Sequence, residues 1–118
     1  MTGKTILYAE DEYTNRKLME IQCRKYGVEC ILAEDGKEAL SRCLDGVFDL
    51  VILDQYMPGL NGDEVAKELM ETRPDLSLVA ITSDDSCVPR LKSSGFKAVY
   101  VKPLKTDDYK ELLEIYLT

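Results

Sequence analysis

The chain has 118 residues, 45% of them apolar and 31% charged, with a net charge of −7 and no histidine. That length suits one domain able to bury a core without a metal or disulfide staple, and the balance is that of a soluble globular protein. Absent histidine excludes Ser–His–Asp and Cys–His catalysis and His-ligated zinc or haem; the acidic surface disfavours nucleic acid; and no stretch approaches the ~20 apolar residues that span a bilayer.

Thr5–Ala9 (TILYA) is short, apolar and β-branched, and reads as a first strand; Met1–Lys4 runs straight into it without a charged-then-apolar leader. Thr14–Tyr26 reads as a helix with Met19, Cys23 and Tyr26 on one face and Leu18 and Ile21 on another, and Gly27 suits its C′ position. Val28–Ala33 (VECILA) is a second strand, and Ala39, Leu40, Cys43 and Leu44 form the stripe of a second helix. Asp49–Leu53 (DLVIL) is apolar at consecutive positions, the pattern of a central parallel strand covered on both faces. Val65, Ala66, Leu69 and Met70, between Gly62 and Pro74, mark a third helix, and Leu76–Ile81 a fourth strand. Asp85–Ser94 is the weakest helix because Pro89 lies inside it; it is expected to start late or to be mobile. Ala98–Val101 is the fifth strand, and Tyr109, Leu112, Leu113 and Tyr116 follow the i, i+3, i+4, i+7 stripe of a last helix.

Strict alternation of strand and helix predicts a single α/β domain over residues 1–118, with a parallel sheet, helices on both faces and right-handed crossovers. The cysteines, Cys23, Cys30, Cys43 and Cys87, match no zinc or disulfide framework and are expected to be reduced, in keeping with a cytoplasmic location. The first three are expected to act as small core groups. Cys87, in a polar stretch, is expected to be more exposed.

In such sheets the site lies beyond the carboxyl ends of the strands. The residues there are Glu10-Asp11-Glu12, Asp54, Thr82-Ser83-Asp84 and Lys102-Pro103. Two carboxylates ~6 Å apart repel by roughly 3 kcal/mol at an effective dielectric near 20, so an acidic cluster calls for a cation or raised pKa values. An all-oxygen donor set on a loop suits Mg²⁺. Lys102 adds a compact positive charge and Thr82 a short hydroxyl donor, which together describe a phosphoryl-transfer site. A carboxylate can carry a phosphoryl group as an acyl phosphate, and Asp54, ending the most buried strand, is the best-placed nucleophile. Taken singly each residue has a plainer reading: an acidic helix start, a turn-forming Asp, a strand-end hydroxyl, a solvated lysine.

The pieces Glu10-Asp11, Asp54 within LDQYMPGLNG, Thr82 within AITSD and Lys102-Pro103 after AVYV occur in this order, each at a strand end. In this the chain resembles the receiver domains of two-component response regulators over essentially its whole length. The resemblance implies a three-layer, flavodoxin-like fold with strand order 2-1-3-4-5. It implies a signalling switch in which Asp54 accepts a phosphoryl group from the phosphohistidine of a sensor histidine kinase or histidine phosphotransfer protein, and which is otherwise not an enzyme. It also implies direct Mg²⁺ ligation by Asp11, Asp54 and the backbone carbonyl of Tyr56, with Glu10 acting through a metal-bound water. Thr82 and Lys102 are implied to hold phosphoryl oxygens, the Lys102–Pro103 bond to be cis, and a downstream protein to read the switch.

The sequence departs from the family pattern at one place. The aromatic usually three residues before the lysine is replaced by Val99, and Tyr100, one position on, should face the opposite way. Tyr56 and Asp84 occupy two positions that tune phosphoryl lifetime in the family, and a bulky Tyr56 should shield an acyl phosphate from water. Three rivals remain: a receiver-like docking module without phosphate turnover, an aspartyl phosphatase, which would want an acid at Tyr56, and a flavin-binding protein, which would want a Ser/Thr/Gly-rich loop at residues 10–12.

Overall fold

A computed structural model describes residues 3–117. The elements run β1 (Thr5–Ala9), α1 (Tyr13–Lys25), β2 (Glu29–Ala33), α2 (Gly36–Asp45), β3 (Leu50–Asp54), α3 (Gly62–Thr72) and β4 (Leu78–Thr82). A 3₁₀ turn (Asp85–Cys87) then leads into α4 (Val88–Lys92), followed by β5 (Ala98–Val101) and α5 (Thr106–Leu117). All five strands are parallel, in the order β2-β1-β3-β4-β5, as expected. Among the described residues no helix is long and apolar enough to cross a membrane.

Because successive strand side chains face opposite ways, each strand feeds two cores. Leu7, Val51, Leu53 and Ala80 pack with α2, α3 and α4 through Cys43, Val65, Leu69 and Leu91. Ile6, Tyr8, Ile52 and Ile81 pack with α1 and α5 through Met19, Cys23, Leu112 and Leu113. Every residue of β3 and β4 is buried, which explains the unbroken apolar run of DLVIL. The split stripe of α1 resolves the same way: Met19 and Cys23 are buried while Leu18 and Ile21 are exposed.

Local signals set the helix ends. Asp35 caps α2 by accepting from the Glu38 amide at 2.8 Å. Asn61 and Glu64 form a capping box on α3. Gly27, at φ 72°, turns the chain out of α1 as a C′ glycine. Pro89 sits in the first turn of α4, where its missing N–H is harmless, so the fourth helix starts late and is only 5 residues long.

Three strands are offset from their expected bounds. β2 starts at Glu29, β3 runs Leu50–Asp54 and β4 runs Leu78–Thr82, so Asp54 and Thr82 belong to the ladder instead of following it. The ladder continues one residue beyond Asp54, with the Gln55 amide donating to the Ile81 carbonyl at 2.9 Å. The loop after β3 then closes on itself: the Gly62 amide donates to the Gln55 carbonyl at 2.8 Å. A Cβ at Gly62 would come within 2.6 Å of the Asp54 carbonyl oxygen, so only glycine permits that closure. Buried Gln55 and half-buried Asp63 also exchange two hydrogen bonds of 3.0 Å, fixing the backbone on which Asp54 stands.

Candidate functional site

Parallel pairing carries the ends of β1, β3, β4 and β5 to one edge of the sheet. Ala9 lies opposite Leu53, Asp54 opposite Ile81 and Thr82 opposite Val101. Lys102 Nζ donates to Glu10 Oε1 at 2.7 Å and to Asp54 Oδ2 at 3.1 Å, joining three residues that the chain separates by up to 92 positions. The peptide bond from Lys102 to Pro103 is cis, as the resemblance implies.

Glu10 is fully buried and Asp54 is 4% exposed. Burial first, and then the hydrogen bond and charge of Glu10, push the Asp54 carboxyl up to about 8. Burial alone would also raise Glu10, but its hydrogen bonds with Asp54 and Lys102, the lysine charge and Asn15 hold it below its ordinary value. Desolvation alone would lower the Lys102 ammonium, but the two acids hold it above its ordinary range. Two buried acids thus share one lysine, and burial together with the Glu10 charge favours the protonated form of Asp54.

Asp11 is exposed, yet carboxylate oxygens of Glu10, Asp11 and Asp54 lie within 4.8 Å of one another. The second oxygen of Glu10, Oε2, is buried and has no hydrogen-bond partner. A buried acceptor without a donor is destabilising unless a cation or water meets it. Oxygen donors, surplus negative charge and an orphaned buried oxygen fit Mg²⁺.

Thr82 is fully buried at the end of β4, but its hydroxyl is engaged with the following loop and not with Asp54. Tyr56, half-exposed on the loop after β3, donates its hydroxyl to Asp84 Oδ2 at 3.3 Å. That bond links the two loops flanking the strand ends. Tyr100 packs on the α1–α5 side and donates to Glu111 at 2.9 Å, while Val99 packs on the α4 side, so the aromatic does face away.

Two contributors escaped sequence reasoning, and one expectation is corrected. Asn15 Nδ2 donates to Glu10 Oε1 at 2.6 Å, and Arg16 donates to the Glu10 carbonyl at 2.9 Å. Their place in the first turn of a helix directly after the acidic pair is the one signal that could have found them. Cys87 is 6% exposed, not the most accessible cysteine, because the 3₁₀ turn folds its sulfur inward onto Thr82. All four cysteines are free.

Beside Lys102, a recess of about 50 Å³ is lined by Asn15, Leu18, Pro103 and Leu104. A roomier groove, about 570 Å³, lies elsewhere between α3 and the turn before β5, away from the carboxylates. Volume does not mark the site here; the chemistry of the strand ends does.

The sequence model of a family described as "Response regulator receiver domain" matches residues 6–114. The chain is 32% identical over 115 residues to the autoinducer 2 sensor kinase/phosphatase LuxQ of Vibrio vulnificus, covering 94% of this chain and 13% of that protein. The chain therefore spans only about an eighth of the length of the curated relatives of this kind. Among solved structures it is similar to the response regulator TrrA of Thermotoga maritima in complex with Mg²⁺ and beryllofluoride, at 35% identity and a TM-score of 0.89, covering 97% of this chain and 99% of that one. It is likewise similar in fold to the receiver domain of a sensor histidine kinase of Pseudomonas aeruginosa PAO1 with magnesium coordinated in its cleft, at 22% identity and a TM-score of 0.89, covering 98% of each chain.

Proposed function

Because the chain belongs to the response regulator receiver domain family, we propose that residues 1–118 form one receiver domain whose Asp54 is the phosphoacceptor of a two-component phosphorelay. The observation that carries this reading is the contact of Lys102 with both Glu10 and Asp54, which gathers acids and ammonium at one sheet edge. A carboxylate oxygen of Asp54 forms the new O–P bond while the N–P bond to the donor imidazole breaks, and the leaving nitrogen takes up a proton from solvent. No histidine lies within these residues, so the phosphoryl donor lies outside them: a sensor histidine kinase or a histidine phosphotransfer protein.

Asp11, Asp54 and the backbone carbonyl of Tyr56 would hold Mg²⁺ directly, and Glu10 through a bound water. When bound, the ion neutralises charge on the acids and on the phosphoryl oxygens. Lys102 stays against the Asp54 oxygen, disfavours its protonated, non-nucleophilic form and then faces the transferred group. Thr82 supplies one further donor to a phosphoryl oxygen. Turnover beyond self-catalysed gain and loss of phosphate is not part of this role. A protein target reads the changed surface, with no direct contact to nucleic acid, and four free thiols go with a cytoplasmic location.

Incubation with acetyl phosphate and Mg²⁺ is expected to add one phosphoryl group per chain by intact mass, mapped to Asp54 and lost with chelator. No gain from acetyl phosphate or from any phosphohistidine donor would favour a docking module instead. Tyr56 bears on how long the group survives. Removing its ring and its bond to Asp84 opens the loop mouth, so Tyr56→Ala is expected to speed loss of the acyl phosphate about threefold or more, a barrier change of ~0.7 kcal/mol. Tyr56→Phe keeps the ring and should lie between; equal lifetimes in all three proteins would remove Tyr56 from this role.

A further inference from the structure

The Thr82 hydroxyl sits in a closed ring of polar contacts. The Asp84 amide donates to Thr82 Oγ1 at 3.0 Å, Cys87 Sγ lies 3.3 Å from the same oxygen, and the Cys87 thiol lies 3.0 Å from the Asp84 carbonyl as donor. A hydroxyl and a thiol carry one proton each. The carbonyl can only accept, and at 3.0 Å it is placed to take the thiol proton, which leaves the sulfur free to accept the Thr82 proton at 3.3 Å. A second outlet for that proton, the Asp84 carbonyl, is longer at 3.4 Å and lies in the same loop. In this arrangement the hydroxyl proton points into the loop leading to α4.

Packing holds the sulfur where it is. Cys87 is 6% exposed and belongs to the core that includes Leu91 of α4, with Val99 packed against it. It is also the last residue of the 3₁₀ turn and the residue from which α4 starts. The ring therefore ties the end of β4 to the start of α4.

Resting on the assignment of Thr82 as a donor to phosphoryl oxygens, we infer that Cys87 is a positioning residue for phosphoryl capture: its sulfur holds the Thr82 hydroxyl proton in the β4–α4 loop, away from Asp54. The proton must leave the sulfur before Thr82 can donate to a group on Asp54. Capture of the phosphoryl group thus opens the ring and frees the start of α4. Among the hydrogen bonds of the Thr82 hydroxyl in the described residues, the Cys87 sulfur is the one side-chain partner, the others being the Asp84 backbone.

The test is titration of the protein in saturating Mg²⁺ with beryllofluoride, read by calorimetry. Cys87→Ala removes the proton's acceptor and is expected to tighten binding about threefold to fivefold, the equivalent of one modest hydrogen bond. Cys87→Ser keeps an acceptor and a donor and should stay within about twofold of the parent. In a Thr82→Ala background the Cys87→Ala change should have no effect, because the hydroxyl it acts through is gone. In the unsubstituted protein the Cys87 Cβ and Asp84 amide resonances should shift on adding beryllofluoride, and stay in place in Thr82→Ala. Equal affinities for parent and Cys87→Ala, the same gain with Thr82 absent, a Cys87→Ser protein that behaves like Cys87→Ala, or unmoved resonances would each overturn the inference. A parent protein that binds no beryllofluoride at all would instead sink the phosphoacceptor reading, and this inference with it.

Discussion

In chelator at neutral pH, Asp54→Asn is expected to unfold at a higher temperature than the parent, although it removes the group on which the proposed activity depends. Glu10 and Asp54 are both buried, approach within 4.8 Å and share one ammonium. Two unit charges at that separation repel by roughly 3.5 kcal/mol at an effective dielectric near 20. Lys102 and a retained proton offset part of this. Asparagine reproduces the protonated acid in shape: its amide can donate toward Glu10 while its oxygen accepts from Lys102. A net gain of about 1–2 kcal/mol follows, or on the order of 3–8 °C for a domain of this size.

The pH dependence has a defined sign. The Asp54 carboxyl titrates at about 8 in the folded protein against an ordinary 3.8. Between those values the folded chain holds a proton that the unfolded chain has lost, so parent stability falls as pH rises from about 4 to about 8. Asp54→Asn lacks this slope, and the two proteins should converge near pH 4. Saturating Mg²⁺ should reverse their order at pH 8, because it stabilises only a folded state that binds it. Thermal melts across pH, with and without Mg²⁺, measure all of this. Equal melting of the two proteins at pH 8 in chelator would show that no repulsion is stored at the site.

The opposite change is expected for Lys102→Met. Among the described residues the ammonium is the one cation in hydrogen-bond contact with the side-chain carboxylates of Glu10 and Asp54, at 2.7 and 3.1 Å. Methionine preserves the bulk of the stem but leaves two buried carboxyls facing each other. Removing one partner of a buried ion pair typically destabilises by about 3–5 kcal/mol. Protonation of one acid limits the loss, so the deficit should be largest at high pH and shrink on acidification. Mg²⁺ should recover part of it by supplying a different positive charge. Combining Lys102→Met with Asp54→Asn should recover much of the stability as well, since the pair no longer holds two ionisable acids. Denaturant unfolding of the single and double variants gives the coupling directly. Strictly additive effects would mean that the 3.1 Å contact between Lys102 and Asp54 carries no energy.

Much of the site was readable along the chain because topology constrains it. Five apolar runs separated by helical stripes admit few arrangements, and parallel strands send every carboxyl end to one edge. Glu10, Asp11, Asp54, Thr82 and Lys102 needed only to be strand ends to become neighbours. The most buried strand announced itself in the same way, since the consecutive apolar residues of DLVIL face two cores and leave no polar gap. The Tyr100 orientation also followed from strand alternation alone, with its hydroxyl reaching Glu111 on α5.

What stayed illegible depends on contacts between residues whose spacing carries no period. Strand bounds moved by one or two residues because pairing with neighbours, not propensity, ends a ladder: the Gln55 amide finds the Ile81 carbonyl. Cys87 looked exposed in its polar stretch, yet a 3₁₀ turn places its sulfur against Thr82, and turns of that kind have no sequence period to read. Asn15 and Arg16 attach to Glu10 through contacts that place the first turn of α1 against the end of β1.

From the chain alone came the number and order of elements, the two-faced burial of the central strands and the identity of the acids, hydroxyl and ammonium at one rim, because short-range periodicity and parallel topology suffice for these. Folding in three dimensions set the rest: which Glu10 oxygen is left without a partner, which acid is pushed upward by burial, and which groups surround the Thr82 hydroxyl. Those outcomes turn on separations of a few ångströms between groups distant in sequence, where burial and Coulomb energy change by several kcal/mol.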